Sequence, residues 1–128
     1  MFEGAPGWVT LISTSDVAEG WRDHRQSGGL VMDVRSNEVV CEGLSMPHSP
    51  RWYKHRLWLL NSGSGELGHV DLKTGKFEPL CFVPGYARGL ALHGKYALVG
   101  LSKPRNQSFS GLDLDEQLAS RNAEARCG

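Results

Sequence analysis

One spacing constrains this chain more than any other feature. The segment Gly29-Leu30-Val31-Met32-Asp33-Val34, with Arg35-Ser36-Asn37 after it, resembles Val70-Asp71-Leu72 with Lys73-Thr74-Gly75 after it, which sets Asp33 and Asp71 38 residues apart (33 to 71). Likewise Ser49-Pro50-Arg51 ahead of Leu57-Trp58-Leu59-Leu60 resembles Ala87-Arg88-Gly89 ahead of Tyr96-Ala97-Leu98-Val99, so Arg51 and Arg88 correspond at an offset of 37 (51 to 88). A period near roughly 40 to 45 residues is that of four-stranded blades, units that bury their apolar faces only against neighbours. A third, less regular copy starts at Trp8-Val9-Thr10-Leu11-Ile12. A polar insertion over residues 14–27 interrupts it and reads as a loop.

The texture inside each copy is that of strands. Residues Arg56 to Asn61 form a short apolar run closed by Ser62-Gly63-Ser64-Gly65, a buried strand followed by a turn. Glu66 to Asp71 alternates polar and apolar residues, Lys73-Thr74-Gly75 turns the chain, and Lys76 to Val83 returns. The expected fold class is therefore all-β: about three blades of an incomplete β-propeller, each a four-stranded antiparallel meander, in one domain over residues 1–128. A ring needs about four to eight blades, so three leave terminal sheets and edges open, and self-association through those edges is expected. Near the C-terminus Asp113 and Glu116 have capping-box spacing, which predicts a short helix over about 114–125.

Charge and cysteine usage narrow the function classes. Fourteen basic residues balance fourteen acidic ones, so no net field draws the chain to nucleic acid or to an anionic membrane. No apolar run reaches the roughly 18 residues of a membrane span, and no signal-peptide pattern opens the chain, so a cytoplasmic setting is expected. Three cysteines, Cys41, Cys81 and Cys127, include no C-x-x-C pair and read as thiols. Cys41 and Cys81 are almost one repeat apart and are expected to be buried at equivalent places.

Three longer motifs carry a resemblance: Leu44-Ser45-Met46-Pro47-His48-Ser49-Pro50-Arg51-Trp52, Leu57-Trp58-Leu59-Leu60-Asn61-Ser62-Gly63 and Pro84-Gly85-Tyr86-Ala87-Arg88-Gly89-Leu90. With Gly20-Trp21-Arg22 and Phe109-Ser110-Gly111-Leu112, the chain resembles, through nearly its whole length, an uncharacterised bacterial family of propeller-like conserved hypothetical proteins. The resemblance implies longer members with further blades on both sides, this chain looking like an internal fragment. It implies no reaction, and no site residue is carried over from it.

Candidate chemistry rests on the repeat. Residues entering the inner strands face the channel mouth of a propeller, which places His48, Arg51, Tyr86 and Arg88 there. Two guanidiniums suit a carboxylate or phosphate, each offering a planar fork of donors; the competing reading pairs them with Asp or Glu of adjacent blades. His48 is read as a hydrogen-bonding, structural or substrate-orienting group, since no H-x-x-x-H or H-E-x-x-H spacing accompanies it. His24, His55, His69 and His93 read as surface residues. Gly63-Ser64-Gly65-Glu66-Leu67-Gly68 matches G-x-G-x-x-G, yet a strand rather than a helix follows, so it reads as a hairpin turn. Trp21 in the insertion is either a partner or ligand contact or an anchor for its own loop.

The function expected is a non-catalytic binding or interaction module, with an anionic small molecule or a protein as partner and no cofactor. The alternative is a metal-dependent, lactonase-like hydrolase whose site is completed by missing blades. Asn61 and Asp33 are the only suggestive calcium oxygens, and Asp33, repeated as Asp71, reads instead as a turn former.

Overall fold

The computed structural model describes residues 7–14 and 26–102. The predicted helix over 114–125, Cys127, and residues 15–25 of the predicted insertion, Trp21 among them, lie outside the described residues. Among the described residues nine strands follow one another: β1 (Trp8–Leu11), β2 (Gly29–Asp33), β3 (Glu38–Leu44), β4 (Pro47–Tyr53), β5 (Arg56–Asn61), β6 (Glu66–Asp71), β7 (Lys76–Phe82), β8 (Tyr86–His93) and β9 (Tyr96–Ser102). They form three antiparallel sheets with neighbours in chain order: β1-β2-β3, β4-β5-β6-β7 and β8-β9. The chain is all-β as expected, but only the middle sheet is a four-stranded meander; the first has three strands among the described residues and the last has two.

The hairpins β2–β3 and β6–β7 turn by the same chemistry. Asp33 accepts a 2.8 Å hydrogen bond at Oδ1 from the Arg35 backbone N–H, and Asp71 accepts one of the same length from that of Lys73. Each Asp carbonyl then accepts the N–H four residues on, from Asn37 at 2.9 Å and from Gly75 at 2.7 Å. Asn37 and Gly75 both have positive φ, 59° and 72°, the conformation that Gly and Asn tolerate best. These amide donors hold both carboxyls below their ordinary pKa, the backbone bond from Arg35 or Lys73 being the largest cause. Asp33 and Asp71 are turn formers, as their repetition predicted.

The middle sheet is covered on both faces, which explains why β5 is an almost unbroken apolar run rather than an alternating one. Leu57, Leu59 and Val70 join Val31, Cys41 and Leu44 of the first sheet, with Trp8 stacked on Trp52 at 5.1 Å between ring centroids. On the opposite face Leu60 and Leu67 join Val83, Ala87 and Leu90, with Trp58, Val99 and Leu101 against them. Leu57, Leu59 and Leu60 have no exposed surface. Each such leucine contributes roughly 1.5–3 kcal/mol relative to leaving it in water.

The registers correct one sequence equivalence. Tyr53 pairs with Arg56 and His93 with Tyr96, so the hairpins β4–β5 and β8–β9 are related by 40 residues (53 to 93). Arg51 faces Trp58 and Ala91 faces Leu98 at that same displacement, so the counterpart of Arg51 is Ala91 and not Arg88. Both strands carry a β-bulge, between His48 and Arg51 in β4 and between Ala87 and Gly89 in β8, and Arg88 is the bulged residue. Cys41 is buried but Cys81 is exposed on β7, the edge strand of its sheet, so the two thiols are not equivalent. Burial raises the Cys41 pKa, with Glu42 adding to it, which makes this thiol unreactive. No helix among the described residues is long and apolar enough to cross a membrane.

Candidate functional site

Sheet order and register bring the chain's links to one end of the molecule. Leu44 leads through Ser45 and Met46 into β4, Phe82 leads through residues 83–85 into β8, and β5 turns into β6 at that same end, because Pro47 pairs with Asn61 and Asn61 with Glu66. The two-residue hairpins at 54–55 and 94–95 and the turn at 72–75 lie at the opposite end.

The link end is built on a buried polar seam. The Ser45 backbone N–H donates to Asn61 Oδ1 at 2.7 Å, and the Gly63 N–H donates to the Ser45 carbonyl at 2.8 Å. The Ser62 hydroxyl donates to the Ala87 carbonyl, tying the middle sheet to β8. The residues after Asn61 make one 3-10 turn, Ser62–Ser64, closed by Gly65 at φ 70°, and β6 follows directly. The G-x-G-x-x-G segment is therefore a strand-to-strand turn. A side chain on Gly63 would run into Ser45 Oγ and Cβ, so only glycine lets the two links approach. Asn61, one of the two suggestive calcium oxygens, has its Oδ1 engaged in holding Ser45, and Asp33 is held in its turn. Among the described residues, no three His, Cys, Asp or Glu side chains converge where they would hold a metal ion.

His48 and Arg88 stand at the surface of this seam. Met46 and Ser49, on either side of His48, have positive φ, 48° and 56°. Ser49 Oγ donates to the Arg88 carbonyl at 2.8 Å, so the bulges of β4 and β8 meet. His48 is half-buried, and its Nδ1 lies 2.8 Å from the Met46 carbonyl. A carbonyl only accepts, so Nδ1 carries the proton and Nε2 of the neutral ring is left as an acceptor. Burial lowers the His48 pKa most; the Met46 hydrogen bond works against that, and the positive charge of Arg88 adds to it. Its charge couples to His48, but Arg88 itself is exposed, and no carboxylate among the described residues lies within ion-pair distance of it.

The other two predicted residues sit differently. Arg51 is exposed and donates from Nη1 to the neighbouring Pro50 carbonyl at 3.0 Å, again with no carboxylate partner among the described residues. The reading in which these arginines pair with acids of adjacent sheets is thus not what the described residues do. Tyr86 is 5% exposed and belongs to the interior, its carbonyl accepting from the Ser102 hydroxyl at 3.3 Å. Four residues chosen as one cluster are therefore a His48–Arg88 pair, a separate surface arginine and a packed tyrosine.

A groove of about 350 Å³ at the hairpin end was not anticipated from sequence, and none of the four lines it. Trp52, Leu57 and Val70 line it along with Arg56, Lys73 and His55. Its acids are already engaged: Asp71 in its turn and Glu78 with His69 at 3.6 Å. His69, expected as a surface residue, is half-buried, paired with Glu78 and set edge-on to Trp58. No motif marks this groove, because residues far apart in sequence assemble it through the register of four strands.

A family model described as Domain of unknown function (DUF4915) matches residues 1–128. Comparison with curated proteins finds no match, and neither does comparison with solved structures.

Proposed function

Since the chain belongs to this family of unknown function, membership brings no reaction with it, and we infer from the geometry a non-catalytic binding module that takes an anionic small molecule or an acidic protein segment at the link end. The observation that carries this reading is Arg88: a guanidinium displayed on a bulge, without a carboxylate partner among the described residues, beside a neutral His48. Arg88 supplies the charge and a fork of donors, and His48 Nε2 supplies an acceptor for a hydroxyl or amide of the same ligand. Arg51, exposed further along β4, adds positive charge to the same strand as His48, and Tyr86, packed in the interior, lies two residues before Arg88 on β8.

In this reading the three sheets are consecutive blades of a propeller-like array. The displacements of 38 and 40 residues, the four-stranded middle sheet and the short links from β3 to β4 and from β7 to β8 support it. A cytoplasmic setting belongs to the same reading, supported by an odd number of cysteines without a C-x-x-C pair. The competing hydrolase would draw its metal-binding oxygens from outside the described residues.

The test is a thermal-shift panel of mono- and dicarboxylates and inorganic phosphate on the full chain, with Arg88→Ala and His48→Ala alongside. A ligand at one hundred times its Kd stabilises the native state by about 2.7 kcal/mol. The expected result is a shift in melting temperature that Arg88→Ala abolishes and His48→Ala reduces. A shift that survives Arg88→Ala unchanged overturns the assignment of this site.

A further inference from the structure

Among the described residues, the two outer sheets leave apolar faces uncovered, and those faces lie on opposite sides of the stack. On β9, Tyr96 and Leu98 are 79% and 75% exposed and share a face with Gly100, since residues two apart point the same way. Across from them on β8 stand His93, Ala91 and Gly89, and a side chain built at Gly89 would meet nothing within 4 Å. The other face of this hairpin, with Leu90, Leu92, Val99 and Leu101, is the one packed on the middle sheet.

One repeat earlier the same surface is covered. At the 40-residue displacement Leu98 takes the place of Trp58 and Gly100 that of Leu60, and both Trp58 and Leu60 pack beneath the β8–β9 hairpin. The matching surface lies at the other end of the stack. Val9, Met32 and Val39 form one cross-strand row over β1, β2 and β3, with Val9 and Val39 38% and 47% exposed. Their neighbours Trp8, Val31 and Val40 point the other way, into the core against the middle sheet. Among the described residues the sheets thus stack in one sense only, and no sheet packs on the outer face of the last or of the first. Balanced charge, fourteen of each sign, raises no net repulsion between copies.

We propose that copies of this chain associate head to tail, the Tyr96–Leu98 face of one copy seating the Val9–Met32–Val39 row of the next. The contact is heterologous, so it grows into longer stacks or closes into a ring. It rests on reading the sheets as a stacked array and is independent of the Arg88 site.

Sedimentation velocity over a concentration series of the full chain, with Leu98→Asp and Val39→Asp, tests it. Both substitutions fall on exposed positions, and circular dichroism melting verifies that each variant folds. The wild type is expected to gain mass with concentration and each variant to remain a monomer. An equimolar mixture of the two variants is expected to form heterodimers and nothing larger, because one intact face of each kind remains. Arg88→Ala is expected to leave the mass distribution unchanged. A wild type that stays monomeric throughout overturns the proposal, as does a Val39→Asp variant that associates like the wild type, which would mean that the β8–β9 face pairs with itself.

Discussion

The hairpins β4–β5 and β8–β9 match in register at a 40-residue displacement, and they have opposite fates. In the first, apolar side chains on both faces are covered: Leu57 and Leu59 by the first sheet, Trp58 and Leu60 by the last. In the second, one face is packed and the other presents Tyr96 and Leu98 to solvent. Strand geometry is shared, so the difference comes from neighbours. Burial here belongs to the interface between sheets and not to the hairpin itself.

Unequal burial makes unequal stability, and that is the largest expected effect. Leu60→Ala is expected to cost about 2–5 kcal/mol, because the cavity it leaves lies between two packed sheets. Leu98→Ala is expected to stay within about 0.5 kcal/mol in dilute solution, where no other copy covers it. Urea denaturation of both variants reads the difference, and equal costs would break the contrast between the hairpins.

The bulges sharpen the comparison, since one carries His48 at its start and the other carries Arg88. The folded pKa of His48 is depressed, so the unfolded chain binds the extra proton more readily. Stability from the neutral ring is complete above the unfolded value of about 6.5 and is lost as pH falls through the folded value. Melting temperatures measured from about pH 8 to about pH 5 are expected to fall more steeply in the wild type than in His48→Gln. Arg88→Ala is expected to move the histidine titration upward by removing a nearby positive charge. A wild-type slope equal to that of His48→Gln would show that this histidine does not couple to folding.

The turns supply the smallest effect. Lys54 and His55 both have positive φ, 48° and 62°, where a two-residue hairpin ordinarily uses Asn-Gly, while the other hairpin has Gly94 at φ 57°. His55→Gly is expected to raise stability by about 0.5–1 kcal/mol by relieving that strain, measured as a higher urea midpoint. The same change has no counterpart in the second hairpin: Gly94 takes the place of Lys54 at the 40-residue displacement, and Lys95, in the place of His55, does not have a positive φ.

Legibility followed the range of the forces involved. The bounds of β5 and β6 were readable at residues 56–61 and 66–71 because Ser-Gly turns and apolar runs are local, and the Asp33 and Asp71 turns were readable because each is closed within four residues. Bulges were not readable. One extra residue in β4 and one in β8 alter the register, so matching Arg51 to Arg88 on their shared surroundings missed the true counterpart, Ala91. The burial of Tyr86, the Glu78 partner of His69 and the exposure of Cys81 all depend on which strand lies at an edge and how far the sheets are offset. At the candidate site the sequence placed His48 and Arg88 at strand entries. Their coupling through touching bulges, and the Asn61 seam beneath them, required the tertiary arrangement.

Covering the middle sheet from both sides also sets an order of events during synthesis. Its own strands are joined by short turns, so they pair locally and early. The first sheet has already emerged by then and can cover Leu57 and Leu59, whereas Leu60 and Leu67 wait for Leu90. At about 5–20 residues per second, the 23 residues from Leu67 to Leu90 take about one to five seconds. For that interval the nascent chain carries a half-finished core whose apolar side faces whatever else is in reach, and the ribosome's pace sets how long it stays open.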